Sequence, residues 1–415
     1  MTKRNRIALL SILMLIFIDG LGLGIIFPIV APIFMTKVHG LVPPDTSQTT
    51  REIYYGLAIA AFPFFSVIGA PILGDISDRI GRKKVLLISL AGSVVAYMIS
   101  AVAVNLRMGI VFIISRALEG LTGGSVPVGE AAILDLTDPK KKSLYLGLLI
   151  AFYAIGFSIG PAIGGLLSST QVSSYFDYAT PLFFAAVLSL INMLLLWAFY
   201  KAPEIKEVVL EKIKLMRGFL LFLDAFKHKT IRWLSICFFL SQLGWGAMIQ
   251  FSSLFLLQRY HYSTIQIGWF YAVLGLGLAI GLIVLTPLLE RYFTLKTLAI
   301  WSLLVLSLGM FVYVYSYHPF TPWVTIAISS IVNGIAYLSF VTIYSNSVMP
   351  EHQGWVMGVQ TSVWGMAWTV ISIIDAFTDH FSVSLPIEIG AWLTVAACLF
   401  TLFYNGKHAE EMGSH

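Results

Sequence analysis

Five ionisable side chains lie deep inside long apolar stretches of this sequence. They are Asp19, Arg116, Glu119, Glu130 and Asp375. Such a residue costs about 2.5–3.5 kcal/mol at the centre of a membrane helix, so its presence marks a functional position such as a proton or substrate pathway. A carboxyl group there binds and releases protons, and a nearby guanidinium changes how readily it does so. These residues therefore predict proton-coupled chemistry.

The elements that position these residues must be membrane helices. Of the 415 residues, 58% are hydrophobic and only 11% are charged. A soluble domain has roughly 25% charged residues, so a soluble enzyme, a disordered chain and a nucleic-acid-binding arm are excluded. A membrane-spanning helix takes about 20 apolar residues, and the hydrophobic residues would fill about 12 of them. The composition predicts an all-α polytopic membrane protein.

A hydropathy window of about 19 residues places twelve spans along the chain. They are predicted at 7–34, 53–73, 85–105, 109–134, 143–168 and 178–200, and then at 231–257, 264–289, 297–317, 322–348, 355–378 and 385–404. The first span is too long for the apolar part of a signal peptide, so we expect it to be retained.

A polar break divides these spans into two groups of six. The pattern predicts an N-terminal six-helix bundle at 1–200, a linker at 201–230, a C-terminal six-helix bundle at 231–405 and a tail at 406–415. An apolar stretch at 213–226 within the linker predicts a short amphipathic helix at the membrane surface. Two such halves are expected to hold a binding site between them, near the middle of the membrane.

The basic residues predict the orientation. Most Lys and Arg residues fall in the N-terminus, the linker and the alternate loops that share their side, whereas the other side holds only Lys37, Arg51, Arg107 and Arg259. Because cytoplasmic loops are enriched in Lys and Arg, we expect both termini and the linker to be cytoplasmic.

The loop after the second span carries the most specific motif, GDISDRIGRKKV at 74–85. Its two glycines permit a tight turn, and its acids and bases can pair with each other and with helix ends. The motif resembles the G-x-L-A/S-D-R-x-G-R-K/R signature of the major facilitator superfamily. The resemblance implies a latch between the second, fourth and eleventh spans that holds the outward-open state. Asp135, at the end of the fourth span, is either the acidic partner in this latch or a solvated loop acid. The implied latch residues are Gly74, Asp78, Arg79, Gly81, Arg82 and Asp135.

The fifth span contains small residues at intervals of four. The set comprises Gly147, Gly156, Gly160, Pro161, Gly164 and Gly165. Small residues at this spacing let a neighbouring helix approach closely, which is also what an ordinary tight helix–helix contact requires. The full pattern resembles the antiporter signature of the drug/proton exchangers in the superfamily, and this resemblance implies export rather than uptake.

The fourth and first spans hold the ionisable residues of the first half. Arg116 and Glu119 share a helix face within a sequence that resembles the R-x-x-Q-G motif of proton-coupled members, with Glu in place of Gln. Glu119 is therefore either a proton carrier or the group that neutralises Arg116. Asp19, in a glycine-rich stretch before Pro28, resembles the acid in the first helix of tetracycline/proton antiporters. It either exchanges a proton for substrate or forms a permanent pair with Arg116.

Polar and aromatic residues in the second half are candidates for a substrate cavity that accepts amphipathic compounds. The set is Gln242, Trp245, Gln250, Asn333, Gln360, Trp364 and Asp375, with Trp368 one turn from Trp364. Helix packing and interfacial aromatic belts are the alternative explanation for the aromatic members, and Asp375 lies near enough to a helix end to reach the membrane interface.

The resemblance as a whole implies a proton-coupled antiporter in the bacterial inner membrane that exports small amphipathic compounds, such as drugs or siderophores, by alternating access as a monomer. The alternatives are a proton symporter that imports a small nutrient or siderophore, and a non-transporting receptor. The sequence has no phosphate loop, metal-ligand cluster or nucleophile triad, so we expect no enzyme activity, no metal and no cofactor beyond the proton gradient. The expected partners are a small-molecule substrate, protons and lipid, without nucleic acid.

Overall fold

A computed structural model describes the backbone at 3–37, 40–123, 125–136, 142–200, 216–349, 352–378 and 382–404. Side chains are described in these ranges except at 3–6, 134–135, 142–144, 146 and 375–378. Within these ranges the regular elements are all helical, and 12 helices are long and apolar enough to cross a membrane. The predicted all-α fold with twelve membrane helices is confirmed.

The described residues form two compact units, divided at Met216 except that His261–Gly275 belongs to the first unit. The domain boundaries given above stay a prediction. The helices of the first unit are α1 Lys3–Met35, α2 Gln48–Ile80, α3 Arg82–Leu106, α4 Gly109–Thr122, α5 Ser125–Leu136, α6 Lys142–Leu167 and α7 Thr180–Phe199. In this unit α1 packs most extensively on α6, α2 on α4, and α3 on α7. Its core includes Ile12, Val85 and Ile133, which are fully buried.

The remaining helices are α8 Arg217–Lys227, α9 Arg232–Arg259, α10 Thr264–Ala279, α11 Thr286–Leu289, α12 Leu295–Tyr315, α13 Thr321–Asn346, α14 Gln353–Thr378 and α15 Leu385–Phe403. A π-helical segment, Ile280–Leu285, joins α10 to α11. In the second unit α9 packs on α15 and α12 on α13, around a core that includes Phe238, Tyr344 and Val363.

Two details of the first unit differ from the predicted spans. The fourth span is two helices, because Gly123, with φ −73° and ψ 45°, ends α4 before α5 begins at Ser125. Glycine and serine are weak helix formers, so the chain can break there even inside an apolar segment. In addition, the motif at 74–85 is not an open loop: α2 continues to Ile80, and Gly81 alone makes the turn, with φ 97°. Gly74 therefore lies inside α2 and makes no turn.

The amphipathic helix of the linker is α8, Arg217–Lys227. The rest of the predicted stretch before Met216 falls at 201–215, which lie outside the described residues. One face of α8 packs on α9 and α14, with Gly218 and Ala225 buried. The opposite face exposes Leu220 and Leu223. This division fits a helix at a membrane surface, and its position there stays a prediction.

The two units share one local feature that hydropathy alone does not reveal. In the first, Lys83 at the start of α3 donates a hydrogen bond to the carbonyl oxygen of Trp197 near the end of α7, at 2.7 Å. In the second, Lys296 at the start of α12 donates to the carbonyl oxygen of Leu402 near the end of α15, at 2.9 Å. The donors begin the third span of each predicted half and the acceptors lie near the end of the sixth, so the two contacts occupy equivalent positions.

Candidate functional site

Asp19 lies halfway along α1 and is bound by a hydroxyl group. Ser125, the first residue of α5, donates a hydrogen bond to its Oδ2. Among the described side chains no basic group forms a salt bridge with Asp19. The permanent pair between Asp19 and Arg116, which the sequence left open, is therefore absent from this structure.

Arg116 is paired with Glu119 instead. Its guanidinium forms a salt bridge with Oε2 of Glu119, one turn along α4, and each side chain is only 6% exposed. The guanidinium also lies over the ring of Phe62 on α2, at 5.1 Å from the ring centroid. Removing one partner of such a buried pair leaves an uncompensated charge, so the two residues act as a unit. In this state Glu119 neutralises Arg116.

Tyr97 on α3 joins this site, although no motif in the sequence points to it. It is 4% exposed and lies near enough to Glu119 for the two groups to interact electrostatically. A Cβ atom at Gly22 on α1 would lie 2.6 Å from the Tyr97 hydroxyl oxygen. A single tyrosine in an apolar span is common. The signal that would have identified it is the absence of a side chain at Gly22, on the facing helix.

Glu130 lies on α5, one and a half turns after Ser125, and is half-buried. Among the described side chains none forms a salt bridge with it. Asp19 and Glu130 thus differ from Glu119, because neither is neutralised by a described base. Their roles in proton coupling stay predictions.

Three of the predicted latch residues, Gly74, Asp78 and Arg82, belong to a local network at the end of α2. Arg82 contacts Asp78 at 2.5 Å and the hydroxyl of Ser77 at 2.5 Å, and Ser77 donates to the carbonyl oxygen of Gly74 at 2.7 Å. The Asp78 side chain is 50% exposed and that of Arg82 is 20% exposed. The side chain of Asp135 lies outside the described residues. The salt bridge thus joins the last turn of α2 to the first residue of α3. A latch that also reaches the fourth and eleventh spans stays a prediction.

Three glycines of the antiporter-like pattern form the contact between α6 and α1. A Cβ atom at Gly156, Gly160 or Gly164 would overlap the carbonyl oxygen of a residue on α1. These carbonyl oxygens belong to Phe17, Leu21 and Ile25, which are also spaced four residues apart. Any larger residue at these glycines would separate the backbones, so the pattern fixes the helix that carries Asp19.

The other members of the pattern have different surroundings. A Cβ atom at Gly165 would overlap the carbonyl oxygen of Thr264, at the start of α10, and one at Gly268 would lie 2.5 Å from the carbonyl oxygen of Pro161. Gly147 is exposed, with nothing within 4 Å of the position of a Cβ atom. The pattern thus gives α6 two close neighbours within the first unit, α1 and the first part of α10.

The candidate cavity residues of the second unit are mostly buried among its own helices. Gln250 on α9 donates to the carbonyl oxygen of Trp368 at 3.2 Å and accepts from Ser372, so its amide links α9 to α14. Gln360 donates to the hydroxyl of Tyr337 at 3.4 Å. The remaining described members are buried or half-buried: Gln242, Trp245, Asn333 and Trp364. The ring centroids of Trp364 and Trp368 are 5.0 Å apart. Asp375 has its side chain outside the described residues, and a cavity lining by this set stays a prediction.

Comparison with known proteins identifies a family model and full-length relatives. The model of the Major Facilitator Superfamily matches residues 12–372. The class H tetracycline resistance protein of Pasteurella multocida is 27% identical over 385 residues, which cover 91% of this chain and 90% of that protein. Multidrug resistance protein 1 of Bacillus subtilis (strain 168) is 26% identical over 405 residues, 95% of this chain and 97% of that protein. A solved D-xylose-proton symporter has a TM-score of 0.75 at 16% identity, covers 97% of this chain and 100% of its own, and is similar in fold.

Proposed function

The chain belongs to the Major Facilitator Superfamily, and we propose that within this family it is a proton-coupled antiporter that exports small amphipathic organic compounds. Membership bears out the resemblance carried by the motif at 74–85 and makes the chain an integral membrane transporter rather than an enzyme. The exported compound is a drug or a metabolite such as a siderophore, moved by alternating access.

The surroundings of Asp19 carry this proposal. Its described partner is the hydroxyl of Ser125, while Arg116 is already neutralised by Glu119. A membrane-embedded carboxyl group without a counter-ion can accept either a proton or a cationic group of a substrate, and the two compete for it. Entry of a proton yields about 2.3 kcal/mol per 100 mV of membrane potential, which drives release of the substrate to the outside. Glu130 is the second carboxyl group available for this exchange.

The direction of transport is inferred from two kinds of support. The glycine pattern of α6, which the resemblance associates with export, packs directly on the helix that carries Asp19. Relatives that match most of the chain are named for resistance to tetracycline and to multiple drugs. Export of small organic compounds such as drugs accounts for both observations.

Transport in inside-out membrane vesicles tests the proposal. With an acidic lumen, an antiporter accumulates the compound in the lumen while protons leave, so a pH-sensitive dye should report alkalinisation that depends on added compound. The probe is tetracycline or, if tetracycline does not raise the Tm of the purified protein, the amphipathic compound from a thermal-shift screen that does. Asp19→Asn should abolish compound-dependent proton flux, whereas Glu290→Gln, at an exposed acid, should leave it unchanged.

Three results would contradict different parts of this proposal. Accumulation of the probe in right-side-out vesicles, driven by an inward proton gradient, would make the chain a symporter and contradict export. A probe that binds the purified protein yet moves no protons in either kind of vesicle would favour a receptor. Normal flux in the Asp19→Asn protein would remove Asp19 from the mechanism.

We further propose that the chain acts as a monomer in the bacterial inner membrane, with both termini and the linker at 201–230 in the cytoplasm and no cofactor beyond the proton gradient. The distribution of Lys and Arg supports this orientation. Cys237 and Cys398 are both buried, so an introduced Ser414→Cys should be the residue that a membrane-impermeant maleimide labels. Labelling in inside-out vesicles is the expected result, and labelling of intact cells would reverse the orientation.

A further inference from the structure

Ser125 occupies the point where the fourth membrane span is interrupted. It is 7% exposed, and its hydroxyl reaches across from α5 to the carboxylate of Asp19 on α1. None of the sequence patterns discussed above includes this serine. A side-chain hydrogen bond between two helices inside a membrane protein typically contributes less than 2 kcal/mol, so its value here lies in what it positions.

The helix break gives the two acids separate partners. Arg116 and Glu119 are both on α4, which ends at Thr122, and they pair with each other. Ser125 belongs to the next helix, so its direction is not set by the helix that holds the ion pair. Asp19 is therefore bound from α5, while the guanidinium that could have neutralised it is held on α4.

The other titratable groups near Asp19 come from neighbouring helices. Glu119 lies close enough for the two carboxylates to interact, with Arg116 beside it on α4 and Tyr97 on α3. α5 adds Glu130 one and a half turns beyond Ser125. The other helices that pack on α1 are α2, α6 and α7, and the middle parts of these three contain no Asp, Glu, Lys, Arg or His. The described environment of Asp19 thus contains one hydroxyl bound to it directly and one cation that is already paired.

We propose that Ser125 is a positioning residue for proton exchange at Asp19. A hydroxyl group has one donor hydrogen and two acceptor lone pairs. It donates to the carboxylate when Asp19 is ionised and, after rotating, accepts from the carboxylic acid when a proton has been added to Asp19. Ser125 therefore holds the Asp19 side chain in one place in both protonation states, which a lysine or an alanine could not do. This inference rests on the proposed role of Asp19 as a proton carrier.

Labelling with a hydrophobic carbodiimide tests this inference without a transport substrate. N,N′-dicyclohexylcarbodiimide reacts with protonated carboxyl groups in apolar sites, and peptide mass spectrometry of the full-length protein gives the fraction of Asp19 modified at each pH. The hydrogen bond to the ionised carboxylate is charge-assisted and therefore stronger than the one from the neutral acid, so loss of the hydroxyl favours the protonated form of Asp19. In Ser125→Ala the midpoint of labelling should therefore move to higher pH, by about one pH unit, and Ser125→Thr, which keeps the hydroxyl, should stay near the wild-type midpoint.

Ser115→Ala is the matched control. Ser115 is also a buried serine of the same unit, but its hydroxyl contacts Ser100 at 2.6 Å instead of an acid. Its removal should leave the Asp19 midpoint unchanged. If Ser125→Ala does not fold, Ser125→Cys, with a weak S–H donor of similar size, replaces it, and its midpoint should lie above that of Ser125→Thr.

Two results would overturn the inference, and they differ in what they affect. Equal midpoints in wild type, Ser115→Ala and Ser125→Ala or its Cys replacement would remove Ser125 from the mechanism and leave the proposed transport function intact. Absence of Asp19 labelling at every pH, in a protein that still exchanges protons for a compound, would transfer the proton role to another acid and remove the basis for a role of Ser125.

Discussion

Arg51 offers the sharpest test of how the first unit is held together. It begins the second turn of α2, in a region that the sequence marks as a loop on the outer side, yet it is 0% exposed. Its guanidinium donates to the carbonyl oxygens of Phe34 at 2.9 Å, Thr36 at 3.3 Å and Pro43 at 2.6 Å, and its Nε donates to that of Thr46 at 3.3 Å. A cation at the C-terminal end of a helix is favourable because the last carbonyl groups have no partner within the helix. Arg51 thus joins the end of α1 to the loop that leads into α2.

The cost of Arg51→Ala follows from these four hydrogen bonds. A hydrogen bond to a charged group contributes about 1.5–3 kcal/mol, so four such bonds set a lower estimate of about 6 kcal/mol for their sum. Only the bond to Phe34 is fully buried, so the other three carbonyl groups, which are part-buried, regain water when the arginine is removed. The side-chain entropy released is about 2 kcal/mol. We therefore expect a net loss of about 2–4 kcal/mol of unfolding free energy. Arg51→Lys should recover less than half of it, because an ammonium group lacks the planar fork that reaches several acceptors at once.

The apparent Tm of each variant is measured by heating the detergent-purified protein. Size-exclusion chromatography then gives the fraction that remains monodisperse at each temperature. Arg51→Ala should lower the apparent Tm by several degrees. Hydrogen exchange should increase at the amides of 40–47, because this loop loses its attachment. Lys37→Ala, at an exposed base in the same loop, should change the Tm by less than the equivalent of about 0.5 kcal/mol. Equal Tm values for the Arg51→Ala and Lys37→Ala proteins would refute this account of Arg51.

Three further predictions concern packing and buried charge, and the same heating assay measures each. Gly160→Val should cost about 1–3 kcal/mol or prevent folding, because its side chain would overlap the backbone of α1, whereas Gly147→Ala should be neutral because the space there is open. Glu119→Leu should cost about 3–5 kcal/mol because it leaves Arg116 buried and unpaired, and a double variant that also carries Arg116→Met should be more stable than Glu119→Leu alone. Lys83→Met should cost no more than about 1 kcal/mol, because its bond to the Trp197 carbonyl group is exposed.

The membrane spans could be predicted from the sequence because hydropathy averages over about 19 residues and twelve helices dominate the chain. The same averaging hides single-residue events. It predicted one continuous helix through Gly123, where the structure has a break, and a loop around Gly74, where α2 continues. Local backbone geometry at a glycine depends on the packing around it, which a window cannot contain.

Side-chain partners were less predictable than helices. The sequence places Arg51 in an outer loop. It does not indicate that four carbonyl groups, at the end of α1 and in the following loop, accept hydrogen bonds from its guanidinium group. Arg116 and Glu119 were expected to share a face because their spacing of three is a property of one helix. The partners of Asp19 come from another helix, and the choice between Arg116 and Ser125 required the fold. Spacing indicates which residues of one helix lie together and where another helix approaches closely, but not which residues of the other helix are the partners.

The different roles proposed for Asp19 and Glu119 rest on these partners. Both are carboxyl groups in the apolar interior of one unit, and their chemistry alone does not distinguish them. Glu119 faces a guanidinium, so protonating it would leave a buried positive charge without compensation. Asp19 faces a hydroxyl, which can reverse its hydrogen bond when the proton is added. The proposed proton exchange therefore disturbs the least structure at Asp19, while the Arg116–Glu119 pair keeps the guanidinium from cancelling the charge on which the proposed exchange depends.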